Sequence, residues 1–205
     1  MLDRILAWLP LITLLAMMFA AKVRAAIMQR RGLRVIIVDW DRPLRELLND
    51  TLVIALASFW IYLLFAEAWP LSLNWLPDWL TKRIVDATPL KIIGAMLVLA
   101  APLLFAAALR ALGESWRMGI DRDQPGPLVA GGLYSWSRNP IYAAFFLLIV
   151  GACLIHGRII VLLVGAALML LIHGVALREE RFLVERFGED FRSYCQLVGR
   201  YSPWL

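Results

Sequence analysis

Five long apolar stretches without Asp, Glu, Lys or Arg dominate the chain. They are 15 to 19 residues long, slightly short of the roughly 20 residues that cross about 30 Å of hydrocarbon. Flanking Trp, Tyr and Arg side chains extend such segments to the membrane surface. The pattern predicts an all-α integral membrane protein with five transmembrane helices, at residues 5–21, 51–66, 92–109, 141–155 and 159–177.

Composition and charge support the same class of protein. Hydrophobic residues make up 61% of the 205 positions and charged residues 18%, which leaves too little polar surface to cover a soluble globule. With five spans, 16 of the 21 Lys and Arg residues fall at one end of the bundle and five at the other. The positive-inside rule then predicts an outer N-terminus and an inner C-terminus.

Several function classes are excluded. The net charge of +5 comes from cations beside the spans, where anionic headgroups rather than nucleic acid attract them. Cys153 and Cys195 lie in different environments, and His156 and His173 lie far apart on one helical hairpin, so no metal site is predicted. No Gly-rich dinucleotide motif or phosphate loop is present.

The chain forms one membrane domain, since it has no repeat and no long linker. Residues 1–111 supply three spans and an inner basic loop, whereas residues 112–205 carry the candidate chemistry. Within the loop, a basic helix is predicted to follow the first span. A short apolar run at 35–38 and a turn at 39–43 come next and are predicted to lie along the membrane surface.

Only three residues, 156–158, separate the fourth and fifth spans. Such a short connection forces an antiparallel helical hairpin with a tight outer turn. The inner ends of the two spans are then neighbours. Residues 138–140 are therefore expected close to residues 178–180, although about 40 residues separate them.

The tail after residue 177 is polar but retains a helical stripe of apolar side chains. Gly188 is predicted to divide it into two short helices, with acidic residues at the start of the second. These helices would lie on the inner surface and cap the bundle. The stripe consists of Leu183, Phe187, Phe191, Tyr194 and Val198.

The best candidate for chemistry is the start of the fourth span. Asn139 followed by Pro140 is typical of an N-cap and a first helical position, and a helix N-terminus with Arg138 beside it suits an anion. The neighbouring rings of Tyr134, Trp136 and Tyr142 offer stacking surfaces. Across the hairpin, Glu179 and Glu180 provide an acidic wall. The set suits a zwitterionic, nucleoside-bearing cofactor, although the same residues also fit a plain membrane boundary.

At these positions residues 112–205 resemble the integral-membrane methyltransferases typified by isoprenylcysteine carboxyl methyltransferase and the bacterial phospholipid methyltransferases. The resemblance rests on short motifs in a specific order. They are Leu112-Gly113, Ser115-Trp116, Leu128-Val129, Gly132, Tyr134, Arg138-Asn139-Pro140, Tyr142, Glu179-Glu180, Leu183, Phe187-Gly188, Tyr194, Arg200 and Pro203.

The resemblance implies S-adenosylmethionine as cofactor and a lipophilic acceptor that reaches the site from membrane lipid. It implies a bacterial inner (plasma) membrane location with the site facing the cytoplasm. Arg138 and Glu180 are the predicted catalytic residues. The implied cofactor-binding residues are Gly132, Tyr134, Arg138, Asn139, Pro140, Tyr142, Glu179 and Glu180.

The sequence also departs from the family pattern. Asn139 stands where many relatives have histidine, and Ala144 replaces a common glycine. The prenylcysteine enzymes carry an arginine about one turn before the acidic pair, but residues 174–177 are uncharged here. A carboxylate acceptor is therefore doubtful. Two other functions stay open: an NADPH-dependent, sterol-reductase-like oxidoreductase, and a non-enzymatic scaffold or small transporter. A role for His173 also stays open.

Overall fold

The computed structural model describes residues 2–35, 37, 43–69, 71–119, 121 and 126–202, and every helix lies within them. No strand occurs among these residues. The α-helices are α1 (Leu2–Arg30), α2 (Leu44–Ala68), α3 (Asp78–Thr81), α4 (Thr88–Leu112), α5 (Pro140–His156), α6 (Ile159–Phe187) and α7 (Glu189–Leu197). Short 3₁₀ helices occupy Gly113–Ser115 and Gly132–Ser135.

Four of the described helices, α1, α2, α4 and α6, are long and apolar enough to cross a membrane. The fifth predicted span, α5, is apolar but has only 17 residues, or about 26 Å of helix. The all-α membrane fold is therefore confirmed. The count of five spans stays a prediction, because α5 is short for a full crossing.

The centre of the bundle is the contact between α4 and α5. Gly94 and Gly151 face each other there: a Cβ atom on Gly94 would lie 2.7 Å from the Gly151 carbonyl oxygen, and one on Gly151 would lie 2.6 Å from the Gly94 oxygen. Ala144, Leu148 and Ala152 extend the same buried face of α5. Small residues thus allow two backbones to touch, which is how membrane helices gain packing energy.

The predicted hairpin between α5 and α6 is confirmed. Gly157 ends α5 in the left-handed conformation, with φ of 64°, and a Cβ there would lie 1.8 Å from the Val85 oxygen. The Gly157 carbonyl accepts hydrogen bonds from the Ile84 and Val85 amides, and the Ile159 amide donates to the Lys82 carbonyl. The turn is therefore fixed to the segment before α4.

The tail differs from its prediction in one respect. Gly188 does interrupt the helix, with φ of 56°, and α7 follows it. The stretch from residue 178 to 187 is not a separate helix, however, but the continuation of α6. No Gly or Pro occurs between residues 175 and 187, so nothing stops the span from extending into the polar region.

The inner loop packs beneath the bundle where the structure describes it. Helix α1 continues the basic segment as far as Arg30, and Val35 is buried against the main core. The Ile37 amide donates to the Met118 carbonyl, and the Met118 amide donates to the Val35 carbonyl. Most of the predicted turn at 39–43, namely residues 39–42, lies outside the described residues.

We expect Gly151→Ala and Gly94→Ala each to destabilise the protein, by about 1–3 kcal/mol, because the added methyl group would collide with a facing backbone. Gly174→Ala, on α6, is the matched control, since a Cβ at Gly174 meets nothing within 4 Å. This control should be neutral or slightly stabilising. Thermal unfolding in detergent measures all three variants, and equal effects would contradict the close contact.

Candidate functional site

Helix α5 starts at the predicted position, but the side chain of Asn139 does not cap it. Asn139 is the N-cap residue and Pro140 the first helical residue. The Asn139 side chain makes no capping hydrogen bond; instead its Nδ2 donates to Glu180 Oε1 at 2.9 Å. The cap prediction is therefore right about position and wrong about the side chain, because a buried carboxylate competes strongly for donors.

Glu180 is the centre of a polar cluster and is only 8% exposed. The other members of the cluster are Arg138, Asn139 and Arg200. Arg200 binds it with both arms of the guanidinium: Nε donates to Oε1 and Nη2 to Oε2, each at 2.9 Å. The hydrogen bond to Glu180 also raises the pKa of Arg200. With Asn139 on Oε1 as well, the carboxylate is fully engaged by fixed donors, which is the arrangement a buried charge requires.

The tail closes over the start of α5 through its backbone. The Arg138 amide donates to the Gly199 carbonyl and the Asn139 amide to the Arg200 carbonyl, both at 3.0 Å. Ser137 Oγ donates to the same Arg200 oxygen at 3.1 Å. These amides are therefore bonded to the tail, and the guanidinium of Arg138 is the remaining cationic group of this segment.

Tyr201 anchors the tail between α5 and α6. Its hydroxyl lies 2.8 Å from His173 Nδ1, and its ring meets Phe146 edge-on at a centroid distance of 4.8 Å. Burial raises the pKa of Tyr201. His173, whose role the sequence left open, is thus a hydrogen-bonding partner of the tail.

A cavity of about 190 Å³ opens beside this cluster. It lies between the segment that follows α4, the C-terminal half of α6, and α7. Of the predicted cofactor-binding residues, Tyr134, Arg138 and Glu179 line it. Aromatic rings supply much of the remaining wall, from Phe182, Phe187, Phe191 and Tyr194.

Arg138 is the main charged group between the cavity and the cluster. Its side chain is 11% exposed, and its Nε lies 3.7 Å from Glu180 Oε1. That Nε is buried and has no hydrogen-bond partner among the described residues. A buried guanidinium nitrogen without a hydrogen-bond partner is costly, and the same arginine lines the cavity.

Two tyrosine hydroxyls make hydrogen bonds that hold the residues of the cavity wall in place. Tyr142 Oη donates to Glu179 Oε1 at 2.6 Å and joins α5 to α6. Tyr194 Oη donates to the Tyr134 carbonyl at 2.5 Å and joins α7 to the 3₁₀ helix before α5. Burial raises the pKa of Tyr194 to about 12 and also raises that of Tyr134, so both phenols keep their protons at neutral pH.

The other predicted residues lie away from the cavity. Gly132 is exposed and has φ of 61°, with nothing near its missing side chain. Pro140 is fully buried at the start of α5, and Trp136 is 64% exposed. Asn139 and Glu180 form the cluster behind Arg138 rather than the cavity wall. Part of the predicted set therefore lines the cavity, namely Tyr134, Arg138 and Glu179. Asn139 and Glu180 lie behind Arg138 and contact each other.

Sequence reasoning missed an oppositely charged pair of residues in the cavity wall. Arg117 Nε lies 3.6 Å from Asp121 Oδ2, and the two side chains are 13% and 5% exposed. The ring of Phe182 was missed as well, although it faces the same cavity. The position of two oppositely charged residues directly after an apolar span was the signal available in the sequence.

The histidines do not form a metal site. Across the residues that the structure covers, no group of three or more His, Cys, Asp and Glu side chains could hold a metal ion. His156 lies at the far end of α5, whereas His173 contacts the tail near the cluster.

Comparison with known proteins shows a similarity to membrane methyltransferases. The sequence model described as phospholipid methyltransferase matches residues 90–190, a stretch that contains the α5–α6 hairpin, Arg138 and both glutamates. The chain is also similar to the protein-S-isoprenylcysteine O-methyltransferase of Saccharomyces cerevisiae, with 26% identity over 117 residues. That alignment covers 56% of this chain and 49% of the yeast protein, so the chain matches about half of that relative.

The chain is thus related to the integral-membrane methyltransferases, and the resemblance seen in its sequence motifs is confirmed. Residues 90–190 are the segment that matches the phospholipid methyltransferase model. The comparisons support a membrane methyltransferase and favour neither the oxidoreductase nor the scaffold alternative.

We expect Arg200→Ala to lower the free energy of unfolding by about 2–3 kcal/mol, because it leaves a buried carboxylate short of donors. In a Glu180→Gln background the same change should cost about 1–2 kcal/mol less. Arg192→Ala is the matched control, since its pair with Glu189 is exposed and should contribute under about 0.5 kcal/mol. Unfolding in detergent measures the cycle, and additive effects would contradict the proposed coupling.

The raised pKa of Tyr194 predicts a loss of stability at alkaline pH. Between about pH 10 and pH 12 the unfolded chain releases this proton while the folded protein retains it. The free energy of unfolding therefore falls as pH rises through that window. Tyr194→Phe should have a shallower dependence than the wild type, because it removes the hydroxyl that titrates, and an unchanged dependence would contradict this assignment. Tryptophan fluorescence during unfolding at each pH reports the difference.

Proposed function

We propose that the protein is an S-adenosylmethionine-dependent methyltransferase that acts on a lipophilic acceptor at one membrane surface. The observation that carries the proposal is the cavity beside α5 and α6. There Arg138, Glu179 and several aromatic residues line one space at a bundle end, and the Nε of Arg138 has no hydrogen-bond partner among the described residues. The phospholipid methyltransferase segment contains Arg138, Glu179 and Phe182.

The lining residues fit the chemistry of this cofactor. Arg138 offers a buried donor for its carboxylate, and Glu179 offers an acceptor for an ammonium group or a ribose hydroxyl. Rings of Phe182, Phe191 and Tyr134 suit the faces of an adenine. Apolar rings, one cation and one acid are the set that a zwitterionic nucleoside requires.

When bound, S-adenosylmethionine supplies an electrophilic methyl group on a sulfonium centre. Methyl transfer is an in-line displacement, so the protein chiefly has to align the reactants and exclude water. Arg138 and Glu179 orient the donor side, and the rings of α6 and α7 exclude solvent.

Glu180, one of the two predicted catalytic residues, acts as a positioning residue in this scheme. Both of its oxygens accept hydrogen bonds, from Arg200 and Asn139. Its contribution is to hold Arg138, Asn139 and the tail in register beside the cavity.

The acceptor is proposed to be a lipid or another membrane-partitioning molecule. The yeast relative is named for O-methylation of isoprenylcysteine, and the family model is named for phospholipids. Both names describe lipophilic molecules. The apolar, largely exposed faces of α4 and α6, including Leu103 and Leu170, allow such a molecule to approach sideways from the bilayer.

We place the cavity at the cytoplasmic surface. Most of the basic residues lie at this end of the bundle, close to the ends of α1, α4 and α6. The positive-inside rule orients that end inward. A bacterial inner membrane provides this geometry together with a cytosolic supply of the cofactor.

Titration of the detergent-solubilised protein with S-adenosylhomocysteine tests the proposal. We expect a rise in thermal stability as the ligand saturates the site. Arg138→Ala should weaken binding by about 10- to 100-fold, because it removes a charge-assisted hydrogen bond. Arg186→Ala, an exposed arginine at the same end of α6, should leave the affinity within about twofold.

Titration with NADPH tests the alternative that the protein is an oxidoreductase. Stabilisation by NADPH without a response to S-adenosylhomocysteine would overturn the methyltransferase assignment in favour of the oxidoreductase. Equal binding by Arg138→Ala and Arg186→Ala would remove Arg138 from the site.

A further inference from the structure

A second polar cavity lies at the opposite end of the bundle from Arg138. Its volume is about 170 Å³, and it is bounded by the start of α1, the ends of α2 and α5, and the start of α4. Apolar Leu6, Ala7 and Ile155 form part of its wall. The charged and titratable residues of the wall are Asp3, Arg4, Glu67, Arg83, Lys91 and His156.

The acidic side chains of this cavity already have basic partners. Glu67, with a side chain only 5% exposed, lies 2.6 Å from Arg158 Nε. Asp3 Oδ1 lies 3.0 Å from Lys91 Nζ, and Asp86 lies 2.6 Å from the same nitrogen. These carboxylates are therefore neutralised within the protein.

Two donors in the wall lack such partners. His156 is 2% exposed, and its Nε2 has no hydrogen-bond partner among the described residues. On the other side of the same ring, Nδ1 lies 3.9 Å from Glu67 Oε2, too far for a hydrogen bond. Arg4 is exposed at the mouth, with no ion pair or hydrogen bond to any residue that the structure describes. A buried imidazole nitrogen without a partner requires an explanation.

We infer that this cavity binds a phosphate group, carried by a phospholipid headgroup at the membrane surface opposite the methyl-transfer site. The Arg4 guanidinium and the neutral His156 imidazole N–H donate to phosphate oxygens, and Arg83 adds a second guanidinium in the wall. The paired acids leave a surplus of basic groups, so a cationic ligand is disfavoured. The apolar part of the wall suits the glycerol and acyl chains of the same molecule.

The position of the cavity separates it from the proposed methyl-transfer site. Arg138 precedes the first residue of α5 and His156 is the last, so about 26 Å of helix lies between them. Exposed Trp69, Trp75 and Trp79 lie in the connection between α2 and α4 that adjoins this end, and such rings mark the headgroup level. Phospholipid phosphates occupy that level.

Thermal unfolding of the purified full chain in a phosphate-free detergent tests the site. The probes are a short-chain phosphatidylglycerol, a short-chain diacylglycerol without phosphate, inorganic phosphate and choline chloride. We expect stabilisation by phosphatidylglycerol and not by diacylglycerol. Arg4→Ala should weaken this response at least about tenfold, and the control Arg186→Ala should not. His156→Gln should weaken it as well.

Each outcome bears on the inference. A response to phosphatidylglycerol alone identifies a lipid headgroup, whereas an added response to inorganic phosphate shows that the phosphate group is sufficient. No response, an equal response from diacylglycerol, stabilisation by choline, or equal behaviour of Arg4→Ala and Arg186→Ala would overturn it. Binding of S-adenosylhomocysteine should be unchanged in Arg4→Ala, which separates this site from the proposed methyltransferase function.

Discussion

The carboxylate of Glu180 is the interaction on which the candidate site depends. A buried charge is tolerated only when fixed donors surround it, and here the carboxylate and its donors come from three parts of the chain. Asn139 comes from the start of α5, Arg200 from the tail, and Glu180 itself from α6. Satisfying one carboxylate therefore brings these segments together and places Arg138 between them and the cavity.

The architecture was largely readable from the sequence because its signals are local. Uncharged stretches of near-membrane length predict spans, and a connection of three residues leaves no alternative to a hairpin. Gly157 and Gly188 mark helix ends that the structure confirms. The extent of α6 was misjudged, since the change to polar residues after 177 ends the apolar surface but not the helix.

The details of the site were less predictable, because they depend on contacts between distant residues. A cap position is visible in Asn139-Pro140, yet the direction of the Asn139 side chain depends on a carboxylate 41 residues later. The bond between His173 and Tyr201 spans 28 residues. Arg117 and Asp121 enter the cavity wall through the path of an irregular segment, which apolar periodicity does not describe.

The tail contacts also have a consequence for biosynthesis. Gly199, Arg200 and Tyr201 are translated after all six helices from α1 to α6, yet they supply the backbone acceptors for the start of α5 and the partner of Glu180. The carboxylate therefore cannot meet its arginine before residues 199–201 have been synthesised, and the site is the last part of this fold to be completed.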